Sequence, residues 1–89
     1  MNPAAVVLPA VLDIQAAEPL RLQLLAVRGQ SLTMDGSAVD RLGGLCLQVL
    51  LSARRMWAND GQTLAIRRAS PALRDQWTAF GAPADSFER

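Results

Sequence analysis

The sequence predicts a small α/β domain: a mixed, mostly parallel sheet of about four strands with helices packed on it. Three observations predict this class. Short apolar runs at 4–14, 31–35 and 63–67 alternate with longer segments of helical period. Turn signals rich in glycine and aspartate fall between them. Strands separated by helix-length segments are joined most readily as parallel neighbours through right-handed crossovers. The resulting order is β(β)–α–β–α–β–α, with no internal repeat and no low-complexity segment. The 89 residues suit one domain, 1–89, whose modest core leaves little room for an enclosed active site.

The first run, AAVVLPAVLDI, is apolar and β-branched with Pro9 at its middle. Proline cannot donate to a sheet ladder, so the run predicts two short strands or one interrupted edge strand. In the following QAAEPLRLQLLAVRG, Pro19 fits the first turn of a helix, where its missing N–H costs nothing. Leu20, Leu24 and Val27 recur at helical spacing, and Leu22 and Leu25 widen that stripe. Arg28 suits the last turn and Gly29 the left-handed position beyond it.

SLTMD (31–35) alternates Leu32 and Met34 with polar residues, which predicts a strand, and DGS (35–37) marks a turn. Val39 and Leu42 lead into a second helix from about residue 44 to Asn59, closed by Asp60-Gly61. TLAIR (63–67) is a further strand. Ser70 and Pro71 form an N-cap and first helical position. Leu73, Trp77 and Phe80 share one face of that third helix, and Gly81 closes it. The final APADSFER is a tail, either a last short strand or a frayed end.

On the second helix, Gln48, Ser52, Arg55 and Asn59 form a polar face, and Cys46, Leu50, Ala53 and Trp57 lie opposite and should be buried. Leu45, Val49 and Met56 line one flank; Leu47 and Leu51 line the other. Either neighbouring helices cover both flanks, or part of a flank is a contact surface for another protein.

Nine basic and eight acidic residues give a formal charge of +1. No basic stripe is interleaved with aromatics, so nucleic acid is not an expected partner. A single cysteine rules out an intrachain disulfide and agrees with a reducing, cytoplasmic location. The N-terminal MNPAAVVLPAVLDI is a poor signal peptide and too short to span a bilayer, so no direct membrane insertion is expected. There is no histidine, and one cysteine cannot build a usual zinc site. Asp13, Asp35, Asp40, Asp60, Asp75 and Asp85 are scattered and read as turn or cap residues. Phosphate-loop and dinucleotide fingerprints are missing. The expectation is a protein with no enzymatic activity and no cofactor.

Asp35, then Val39-Asp40-Arg41-Leu42, then Leu47-Gln48-Val49-Leu50-Leu51 form an ordered series. In this order, with TLAI and the Ser-Pro-led third helix downstream, the chain resembles a STAS domain. That is the fold of bacterial anti-sigma factor antagonists and of the cytoplasmic tails of sulfate transporters. The resemblance covers nearly the whole chain. It implies that the second helix opens with D-S/T-x-G-L, whose hydroxyl a partner kinase phosphorylates. Here that window is Gly43-Gly44-Leu45-Cys46-Leu47, so Gly44 stands where the hydroxyl is expected. A phosphoryl group brings about −1.5 to −2 charges to a helix N-terminus, and Gly44 has no oxygen to carry it. The glycine pair reads either as a tight turn needing unusual dihedrals or as a place for close approach of a partner's backbone or an anion.

The resemblance further implies a bacterial signalling adaptor controlled by abundance or competition. It would dock on an anti-sigma factor or a histidine-kinase-like ATPase, including a kinase of a chemotaxis-like system. The expected surface is loop 35–44 and the start of the second helix: Asp35, Ser37, Asp40, Arg41, Gly43, Gly44, Leu47, Gln48 and Leu51. A second expectation is a permanent subunit of a phospholipid-transporting ABC system, bound to its ABC ATPase. The oligomeric state expected is a monomer or weak homodimer.

Overall fold

Strand β1 (Ala4–Val7) ends where the sequence places Pro9, and that proline divides the molecule's strands between two sheets. The computed structural model describes residues 4–83 together with Asp85 and Phe87. After β1 come β2 (Val11–Leu12), α1 (Ile14–Ala26), β3 (Leu32–Asp35), β4 (Arg41–Leu42), α2 (Gly44–Asn59), β5 (Leu64–Arg67) and α3 (Pro71–Ala79). The expected α/β class is observed. Strands β1, β3 and β5 form a sheet in the order β1-β3-β5, β2 pairs with β4, and each of these pairings is parallel. The last ladder bond of β1 runs from Leu8 N–H to the Asp35 carbonyl at 2.9 Å. Pro9 has no donor to continue it. The chain resumes pairing one residue later, where the Ala10 carbonyl accepts from Asp40 N–H (2.8 Å) and Arg41 N–H (3.1 Å). Strand β4 has only two residues, too few to show a period, so in the sequence Val39 and Leu42 read only as a lead into the second helix.

Ala4, Leu32 and Leu64 lie in register, as do Val6, Met34 and Ile66. This face of the sheet meets the helices: Val6, Leu32, Met34 and Ile66 join Leu20, Leu24, Leu50, Trp57, Leu73 and Trp77 in one buried cluster. The alternate positions, Ala5, Val7, Thr33, Asp35, Ala65 and Arg67, include no buried residue. Both tryptophans are buried, and each N–H is satisfied: Trp57 Nε1 donates to the Gln30 carbonyl and Trp77 Nε1 to the Pro83 carbonyl, each at 2.7 Å.

Helix α1 begins earlier than expected. Asp13 caps it, its carboxylate accepting from Gln15 N–H and Ala16 N–H at 3.1 Å each. Pro19 therefore lies inside the helix and not in its first turn. Leu20 and Leu24 are buried, whereas Leu22 (54% exposed) and Leu25 (38%) turn outward instead of widening the stripe. Helix α2 has the expected bounds, and Ser70 caps α3 by accepting from Leu73 N–H at 3.0 Å. Phe80 is the C-cap of α3 and is 51% exposed. It was expected on the buried face with Leu73 and Trp77, but the helix ends before it. In the tail, Phe87 makes a single parallel bridge to Ile66 and sets its ring 5.1 Å from that of Trp77. The tail residues Ala84, Ser86, Glu88 and Arg89 lie outside the described residues. Among the described residues, no helix is long and apolar enough to cross a membrane.

Candidate protein-docking site

The loop between β3 and α2 is held at both ends. At its start, the Asp35 carboxylate accepts from Ser37 N–H at 2.9 Å and from the Arg68 guanidinium. The Ser37 N–H and hydroxyl, then Arg68, hold the Asp35 pKa down to about 2. Arg68 adopts a left-handed backbone (φ 53°), uncommon for a residue with a Cβ. Gly36 is buried, and a Cβ there would stand 2.7 Å from Leu73 Cδ2 and 3.2 Å from Ile66 Cγ2. Space, not dihedral freedom, makes it glycine.

The middle of the loop is clamped by α3. The Gln76 side-chain oxygen accepts from Leu42 N–H at 2.7 Å, and its nitrogen donates to the carbonyls of Asp40 and Ala72 at 3.0 Å each. The Ser70 hydroxyl donates to the Val39 carbonyl. Asp40 and Arg41 are exposed, Val39 and Leu42 buried. Gln76 was missed in the sequence. A lone glutamine on a helix has no pattern, and only its i to i+4 relation to Ala72 is local.

At the head of α2, Gly43 is the N-cap with φ −92°, and no side chain caps the first turn. Gly43 N–H donates to the Leu12 carbonyl at 2.8 Å, and a Cβ on Gly43 would lie 3.2 Å from that same oxygen. The positive-φ glycines are Gly29, Gly61 and Gly81, so neither member of the pair needs unusual dihedrals. The reason for Gly43 is close approach to β2. Gly44 is exposed, and a Cβ would meet only Phe80 Cε1 at 4.0 Å. Packing therefore does not forbid a hydroxyl-bearing residue at position 44. Behind the turn, Cys46 is fully buried, its thiol donates to the Asp13 carbonyl at 3.2 Å, and burial pushes its pKa up. It is a core residue, as expected.

The expected site residues fall into three groups. Asp35 and Ser37 sit with Arg68 at the end of the sheet. Asp40 and Arg41 lie beside Gln76. Gly43, Gly44 and the exposed Gln48 open α2, next to two exposed apolar residues outside the expected set, Leu45 (46%) and Phe80 (51%). Leu51 is half-buried. Leu47 is 7% exposed and part of the core, so of the two alternatives for its flank it is covered, and its expected place on the docking surface is corrected. Its flank is covered, while Leu45 on the opposite flank is open. Phe80 belongs to the surface because it follows α3, a boundary of one residue that periodicity does not resolve.

Among the described residues, no three His, Cys, Asp or Glu side chains are grouped to hold a metal ion. No curated protein matches the chain. A family model described as Mlab, STAS domain matches residues 1–82, and with the parallel sheet and three helices in place the chain belongs to the STAS domain family.

Proposed function

We propose that this chain is a non-enzymatic docking subunit that binds an ABC ATPase through the head of α2, as in the phospholipid-transporting systems that STAS proteins serve. The observation that carries this reading is the first turn of α2. It presents two residues without side chains, an uncapped set of backbone N–H groups, and the exposed Leu45 and Phe80 on either side. Such a surface admits a partner's backbone closely and offers apolar anchors. Apolar composition suits a long-lived interface. The lack of an oxygen at position 44 suits a partner that is not released by phosphorylation. The protein works in the cytoplasm, with no cofactor and no nucleic acid, as a monomer or weak homodimer until bound.

A signalling role is the second reading, with an anti-sigma factor or histidine-kinase-like protein as partner. The exposed Asp40 and Arg41 favour it, because a charged rim is typical of interfaces that form and dissolve. Affinity capture from the native cell decides between them. Recovery of an ABC ATPase supports the first reading, and recovery of an anti-sigma factor or sensor kinase supports the second. If neither is recovered with wild-type protein, or if Leu45→Asp recovers as much partner as wild type, docking through this surface is wrong.

A further inference from the structure

Two of the helices on the core face, α1 and α2, do not close fully on one another. Between α1 and α2 runs a groove of about 340 Å³, floored by Leu24, Ala53 and Trp57 and walled by Leu25, Val49 and Met56. Small side chains, Ala17 and Ala53, leave the space. Its volume is at the lower end of small-molecule sites, about 300–1,000 Å³, and its lining has the apolar character of such sites. The groove follows α2 from Leu45 to Trp57, about 18 Å at the helical rise. A helix, about 10–12 Å across with side chains, is far larger than this space. An extended hydrocarbon chain fits the groove, and a docked helix does not enter it.

The C-terminal end of the groove is polar. A shallow depression lined by Arg28, Ser52, Arg55, Met56 and Asn59 continues it, sharing Ser52 and Met56. Arg28 is neutralised by Asp60, to which it donates at 3.0 and 3.3 Å. Arg55 has no ion-pair partner among the described residues. Farther along, Arg21 is paired with Glu18. One unpaired cation therefore stands at the end of an apolar trough.

From this juxtaposition we propose that the α1–α2 groove binds a single-chain fatty carboxylate, its tail along Ala53 and Val49 and its carboxylate on Arg55. The site lies beside the docking surface, with Leu45 and Gln48 common to both, but the inference does not rest on the identity of the partner.

The test is an amide NMR titration of the full chain with dodecanoate, with dodecyltrimethylammonium as the opposite-charge control, both below micelle formation. Saturable shifts confined to α1 and α2, with dodecanoate bound more tightly than the cation, are expected. Arg55→Ala should weaken dodecanoate about fivefold, the size of one exposed ion pair, and should not weaken the cation, which loses a repulsion. Ala17→Met, which fills the groove, should abolish saturable binding. If that variant fails to fold, Val49→Trp replaces it. Equal affinity for both head groups, no saturation, or shifts spread over Val7, Val11 and Phe80 as by a detergent would overturn the proposal.

Discussion

Three glycines of the loop region look alike in sequence and differ in what their missing side chain permits. Gly36 has Leu73 and Ile66 against the space a Cβ would take, in a part of the core with no room to give. Gly43 has a backbone oxygen at 3.2 Å, and Gly44 has open space. Thermal melts of the three alanine variants should therefore rank Gly36→Ala lowest, by about 1–3 kcal/mol of overpacking, then Gly43→Ala. Gly44→Ala should be neutral or stabilising by up to about 1 kcal/mol, because alanine loses less backbone entropy in a helix. If Gly44→Ala melts below Gly43→Ala, the close approach to Leu12 is not what selects the pair. The same openness means that Gly44→Ser should fold normally and place a hydroxyl where the family pattern has its phosphoacceptor. Incubation with a cognate STAS kinase and mass spectrometry of residues 35–47 would then detect phosphate in the variant and none in the natural chain.

Asp35 adds a pH dependence at the same scale. Its folded pKa, about 2, lies below its ordinary value of 3.8. A depressed carboxylate contributes stability that is present above the ordinary value and lost as pH falls through the folded one. The stability gap between wild type and Asp35→Asn should therefore be constant from neutral pH to about 4 and shrink as pH falls toward 2. Glu18 and Asp60, both lowered by their arginine partners, are lost in the same direction and share the acid limb. Urea melts across that range check it. A gap that widens toward pH 2 would contradict the hydrogen-bond assignment at Ser37 and Arg68.

Among the elements, those with many residues in one period were legible and those set by single contacts were not. Helix α2 shows a buried face of Cys46, Leu50, Ala53 and Trp57 over about three turns, and its bounds follow from Gly44 and the Asp60-Gly61 stop. The alternation in SLTMD and TLAIR located β3 and β5. Strand β4 has two residues and exists because the Ala10 carbonyl faces Asp40 and Arg41, a contact across the chain. The start of α1 was misread because two signals compete, Asp13 as cap and Pro19 as first-turn residue, and the cap prevails. Of the candidate docking surface, Gly44 and Gln48 were legible through the family pattern. Leu45, Phe80 and Gln76 were not, because exposure and side-chain clamps depend on what packs nearby. The internal Pro19 removes the N–H that would bond the Gln15 carbonyl, and its ring crowds that turn. Gln15 is exposed, so water can satisfy its carbonyl. Pro19→Ala should therefore raise the melting temperature, by about 1 kcal/mol or more, less than the roughly 3 kcal/mol of an interior proline because proline also restrains the unfolded chain. Asp13→Ala should lower it by about 1 kcal/mol. A destabilising Pro19→Ala would mean that α1 starts at Pro19 in solution.

At the scale of the whole molecule, the core is one-sided. The helices bury one face of the sheet, and the other keeps Thr33, Asp35 and Arg67 in partial or full contact with solvent. Parallel sheets are usually covered on both faces; here the second face carries Thr33, Asp35 and Arg67 beside Ala5, Val7 and Ala65, and none of them is buried. A single shared core means that folding and the proposed docking use different sides of α2, two residues and about 200° apart around the helix. Leu47 faces the core at 7% exposure and Leu45 the solvent at 46%. An aspartate at position 47 would bury an unpaired charge, which costs several kcal/mol. Against a total stability of about 5–15 kcal/mol, that unfolds much of the population. An aspartate at position 45 stays hydrated and leaves the core untouched. Leu47→Asp should therefore lose the burial of both Trp57 and Trp77 together, seen as a red shift of tryptophan emission. Leu45→Asp should keep wild-type emission and melting while losing partner capture. The paired result separates the two sides of α2, and a folded Leu47→Asp would place that leucine outside the core.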